Sequence, residues 1–137
     1  QEIYTKNRLL SGKIYNFLSK NYLVNVNSLI VRKNSLERIN FFNPKFNIIG
    51  DFDAVMKISK EGEALAFQEP LVCVRIHGKN FHDENRKMFF KEYKSWFFSQ
   101  LNDENFKRNR IFFLKRLIYL YFVSLFPKFI KDFFKKK

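Results

Sequence analysis

Apolar positions along this chain recur with a helical period in some stretches and form short unbroken runs in others. Leu10, Ile14, Phe17 and Leu18 share one face and predict a helix over 5–19. The run Asn27-Ser28-Leu29-Ile30-Val31-Arg32 predicts a short strand, after which Asn34 or Ser35 caps a short helix through Ile39. Asn40-Phe41-Phe42-Asn43-Pro44 has the turn residues of a loop. Gly50-Asp51-Phe52-Asp53 opens a further helix that stops near Gly62. Residues 64–76 predict one or two strands interrupted by Pro70. Asp83 then caps a long amphipathic helix to about Leu101, burying Met88, Phe89, Tyr93, Trp96 and Phe97. Helices interleaved with short strands predict an α/β fold.

A different pattern starts near Phe106. Residues 117–126 contain no charge, half of the roughly 20 apolar residues that a bilayer-spanning helix needs. Lys115 and Arg116 precede this run, Lys128 follows it, and Pro127 ends or kinks the helix. Beyond the proline, Phe129, Ile130, Phe133 and Phe134 share one helical face, with Lys128, Lys131, Asp132 and Lys135 on the other. That pattern suits a helix lying in a membrane interface, the alternative being a helix packed on another polypeptide surface. Two regions are expected, 1–105 and a basic aromatic tail at 106–137.

Composition sharpens this division. The 137 residues fit one small domain or part of a larger one, and an apolar fraction of 46% argues against disorder. The formal charge is +13, and residues 107–137 alone hold ten basic side chains against one acidic. Such an excess attracts polyanions, and its concentration in an apolar-rich tail favours an anionic membrane surface over nucleic acid. The single cysteine, Cys73, excludes an internal disulfide and, within Leu71-Val72-Cys73-Val74, reads as a buried small hydrophobe. No leader-like segment opens the sequence, so the expected location is cytoplasmic, peripheral on the cytoplasmic membrane face.

Three segments, taken in order, resemble the acceptor-side C-terminal half of a family 2 glycosyltransferase of the GT-A type. The first runs from Asn21 to Lys33, with Ser28 as its small residue, and leads into Leu36-Glu37-Arg38-Ile39-Asn40-Phe41-Phe42, where Asn40 stands in place of the usual glycine. The second is Gly50-Asp51-Phe52-Asp53-Ala54-Val55-Met56-Lys57, similar to an acidic-aspartate-aromatic-aspartate motif but with Gly50 for the leading acid and Lys57 for arginine. The third, Glu69-Pro70-Leu71-Val72-Cys73-Val74-Arg75-Ile76-His77, resembles the proline-leucine strand that ends in arginine-x-histidine, with Val74 for tyrosine. Together they cover roughly residues 10–82.

The resemblance implies an inverting transfer of a sugar from a nucleotide-diphospho-sugar donor to a sugar or lipid-linked acceptor, as in cell-envelope polysaccharide or glycolipid synthesis. An acceptor hydroxyl is a poor nucleophile until a carboxylate takes its proton. By the resemblance Asp51 is that base, while Asp53, Arg75 and Ser28 contact donor or substrate. Asp53, at the start of the helical run, also suits a helix cap. His77 would reach a divalent metal, Mn2+ or Mg2+, that offsets charge on the diphosphate leaving group. His82 matches no family position and reads as surface. The donor half's Asp-x-Asp metal ligands lie outside this chain, since the acids before Asp51 are Glu2 and Glu37 alone. The 137 residues by themselves are therefore expected to be inactive, with a longer parent carrying the activity. Two alternatives stand beside this reading: a non-enzymatic basic module for membrane or nucleic acid, and a degenerate transferase scaffold.

Overall fold

A computed structural model describes residues 9–73 and 85–125. Among these residues 59% are helical and 2% are in strand, with no sheet. The expected α/β, GT-A architecture is thus corrected to a helical one. A helix satisfies its backbone within its own segment, whereas a strand requires a neighbour to pair with. The chain divides into two compact units, Gln1–Lys45 with Gly50–Ile76, and Phe46–Ile49 with His77–Lys137. The boundary expected at 105/106 falls inside the second unit.

In the first unit the helices are α1 (Tyr15–Lys20), α2 (Lys33–Arg38) and α3 (Gly50–Glu61). The first helix starts later than the apolar period suggests because Gly12 is drawn into backbone pairing with Ala64. Each N–H donates to the other's carbonyl, at 2.7 and 2.9 Å, in an isolated antiparallel bridge. Gly12 holds φ +94°, a left-handed conformation that would strain any residue with a Cβ. Local side-chain bonding likewise replaces the strand expected at 27–32. Asn25 Oδ1 accepts from the Asn27 N–H at 3.0 Å and starts a short 3-10 turn, Val26–Ser28. An asparagine that bonds nearby backbone offers the chain an alternative to a ladder.

The short helix expected near residue 35 forms as α2. Its end is a Schellman turn: Phe41 N–H donates to the Leu36 carbonyl at 2.8 Å and Asn40 N–H to Glu37 at 3.0 Å. Asn40 and Phe41 have φ of 56° and 60°. Asparagine is the residue after glycine that best tolerates this region, which accounts for Asn40 at a glycine position.

The apolar run over 64–76 also departs from expectation. Within its described part, through Cys73, the backbone pairs only at Ala64, and side chains extend the contact. Ser11 Oγ accepts from the Ala66 N–H at 3.0 Å. The Gln68 amide brackets Leu9, accepting from its N–H at 3.0 Å and donating to its carbonyl at 3.1 Å. Cys73, expected to be buried, is exposed. The helix expected from Gly50 forms as α3, and both α1 and α2 pack on it. Tyr22 meets Phe52 edge-on with ring centroids 4.9 Å apart. A pair of this kind contributes about 0.5–1.5 kcal/mol beyond area burial.

The second unit contains α4 (Arg86–Ser99) and α5 (Glu104–Leu125), an antiparallel hairpin joined by a four-residue turn. Asp103 starts α5: its Oδ1 accepts from the Phe106 N–H at 2.8 Å and its carbonyl from Lys107 at 2.9 Å. Phe106 and Phe113, two helical turns apart, stack at 4.9 Å with rings 6° from parallel. Trp96 closes on both at 5.9 and 5.3 Å. Tyr93 donates its hydroxyl to the Phe113 carbonyl at 3.4 Å, and the Arg116 guanidinium lies 5.7 Å over the Tyr93 ring. Of the residues expected to be buried in this helix, Tyr93, Trp96 and Phe97 are so, while Met88 and Phe89 are half-buried. Among the described residues no helix is long and apolar enough to cross a membrane.

Candidate functional site

The candidate site is the first turn of α3, where the sequence places two carboxylates two residues apart. Because α3 begins at Gly50, Asp51 and Asp53 both sit in the opening turn, about half a turn apart. Asp51 is half-buried, and its Oδ1 accepts a hydrogen bond from the Phe52 N–H at 2.7 Å. That bond fixes the carboxylate against the helix start, where exposed N–H groups and the helix dipole favour negative charge. A carboxylate has a second oxygen with which to accept.

Asp53 has a different environment. It is 1% exposed, and its Oδ2 lies 2.7 Å from Lys57 Nζ, one turn along the same helix. Burying a carboxylate is tolerated when a cation and hydrogen bonds compensate it. One carboxylate oxygen of Asp53 thus faces the next turn, while Asp51 accepts from the Phe52 N–H at the helix start. Lys57 supplies the cation for this pair.

Ser28 lies exposed on the 3-10 turn, its Oγ donating to the Asn25 carbonyl at 3.1 Å. Arg75, His77 and His82 lie outside the described residues. A shallow apolar groove of about 510 Å³ is lined by Leu9, Leu10, Ser11, Leu65, Ala66 and Gln68, and none of the candidate residues lines it. Asp51 and Asp53 therefore come together by helix geometry alone, while Ser28 belongs to another turn. Among the described residues no three His, Cys, Asp or Glu side chains gather as a metal-binding group.

One charged residue escaped the sequence reading. Glu92, buried on α4, accepts from three consecutive backbone amides of the second unit. Its Oε1 takes Asn47 N–H at 2.9 Å, and its Oε2 takes Ile48 at 2.9 Å and Ile49 at 3.2 Å. The signal was available, since Met88, Glu92 and Trp96 follow one another at intervals of four. A glutamate on such a stripe needs donors inside the protein.

No family model matches this chain, and no curated protein or solved structure matches it either.

Proposed function

We propose that this chain supplies the acceptor-side residues of an inverting sugar transfer, with Asp51 as the general base. The reading rests on the ordered resemblance of residues 10–82 to family 2 glycosyltransferases. The observation that carries it here is the unequal setting of two neighbouring acids: Asp53 is locked in a buried pair with Lys57, and Asp51 is half-exposed and fixed at the helix start. A base must be reachable and oriented, and of the two only Asp51 meets both conditions. In the step proposed, the acceptor oxygen attacks the anomeric carbon from the face opposite the diphosphate. The new carbon–oxygen bond forms as the bond to the diphosphate breaks, the leaving group takes that electron pair, and the hydroxyl proton passes to the Asp51 carboxylate. Configuration at the anomeric carbon inverts. The donor nucleotide would be bound by residues outside these 137, and Arg75 and His77 would address its diphosphate.

The test is glycosyl transfer from a panel of nucleotide-diphospho-sugars by the complete encoded polypeptide, with Asp51→Asn compared against the parent. General-base catalysis is worth about 10²–10⁴ in rate, so kcat should fall by that factor while the helix content stays unchanged. The chain alone should transfer no sugar. A degenerate scaffold is the second reading, favoured by the bond from Phe52 N–H to Asp51, which a purely structural helix start would also make. Unchanged turnover in Asp51→Asn selects that reading.

A further inference from the structure

We propose that the end of the α4–α5 hairpin nearest Leu125 is a docking surface for anionic lipid headgroups, independent of any transferase role. In α5 the buried seam is Phe106, Asn109, Phe113, Leu120 and Ser124. The opposite strip changes character along the axis. Toward the helix start it carries Lys107, Arg108 and Lys115 with Ile111 exposed among them; from Ile118 onward it is wholly apolar, with Ile118, Phe122 and Leu125 each about half exposed. Tyr119 and Tyr121 flank that strip and are exposed to a similar degree. A surface helix that follows the core pattern would be polar there. A contiguous exposed apolar patch of this kind marks an interaction site.

Charge identifies the occupant. Phe90 of α4 meets Tyr121 with ring centroids 5.5 Å apart, so the first turns of α4 run beside the apolar end of α5. Those turns present the exposed lysines Lys87 and Lys91, and Lys115 lies one turn back along α5. The carboxylates of the two helices are Glu92, buried beneath the Asn47–Ile49 amides, and Glu104, at the far end of α5. Among the described residues of the two helices, this end therefore carries exposed cations from both and no exposed carboxylate. Ile118 to Leu125 covers about 10 Å of helix axis. A helix lying in the interface plane sinks such a face roughly 5–10 Å into the headgroup and acyl boundary. Lysines at that depth extend their ammonium groups to the phosphates, and tyrosines sit well at such a boundary. A nucleic acid would use the basic half alone; an anionic bilayer surface uses both halves.

The test is co-sedimentation of the full chain with phosphatidylcholine vesicles, with and without phosphatidylglycerol, at low and raised salt. Binding should require the anionic lipid and weaken with salt. At about 1 kcal/mol for each lysine near the surface, Lys91→Ala with Lys115→Ala should lower partitioning about 25-fold. Ile118→Ser with Phe122→Ser should lower it by at least tenfold, with the helical circular dichroism unchanged. Phe98→Ser, exposed at the other end of α4, should leave it unaltered. The proposal is overturned by equal binding to neutral vesicles, by no binding, or by insensitivity to both double variants, which would assign any binding to other residues. It is also overturned if single-stranded RNA displaces the vesicles, or if the patch instead mediates self-association that Phe122→Ser abolishes.

Discussion

In the second unit Tyr93, Trp96, Phe106 and Phe113 turn inward and touch, each no more than 1% exposed. In the first unit many apolar residues outside the helices stay at the surface, with Ile30 91% and Leu65 75% exposed. Both regions are rich in large hydrophobic side chains, so composition does not explain the contrast. Element type does. A helical hairpin with a four-residue turn brings its two apolar stripes together by local geometry. An extended segment can bury its apolar faces and backbone groups only through a neighbour further along the chain or beyond it. Residues 64–73 find such a neighbour at Gly12, Ser11 and Leu9 and remain otherwise exposed.

Three substitutions would break or sharpen this contrast. Trp96→Ala empties the centre of the aromatic cluster and should cost about 3–5 kcal/mol. Hydrogen exchange should then accelerate across α4 and α5 more than across α3, and equal acceleration in all three would show that the units share one cooperative transition. Glu92→Ala removes the acceptor of three adjacent amides and should cost about 2–4 kcal/mol in urea unfolding, since orphaned buried donors are expensive. The amides of Asn47, Ile48 and Ile49 should lose protection together; unchanged protection would mean that the carboxylate does not hold them. Gln68→Ala should be the mildest, at most about 1 kcal/mol, and visible chiefly as faster exchange at the Leu9 amide.

These differences also explain what could be read from the chain in advance. The start of α3 was legible because glycine, two aspartates and an apolar run signal a helix within a few residues. The long helix ending near residue 100 was legible because its 3.6-residue period continues for four turns. The strands at 27–32 and 64–76 were inferred from β-branched and apolar runs, which describe a demand for pairing and not its fulfilment. At 27–32 the Asn25 side chain offered the backbone a nearer bond. At 64–73 pairing stops after one bridge. The site was legible to a similar degree. A motif could single out Asp51 and Asp53, but only the register of α3 decides which carboxylate faces Lys57 and which stays at the helix start. Glu92 went unread because its partners lie 43 to 45 residues away in the chain.

The bracket that Gln68 forms around Leu9 has a consequence for how the two segments find one another. A primary amide reproduces the donor and acceptor of a peptide group but belongs to a single residue, whereas a backbone ladder offers nearly the same bonds at every second position. Slipping the segments by one residue would set Phe67 or Glu69 opposite Leu9, and neither side chain can donate and accept together. The alignment is thus encoded in two side chains, Gln68 and Ser11, in a stretch whose backbone pairing alone would leave neighbouring alignments almost equal in energy.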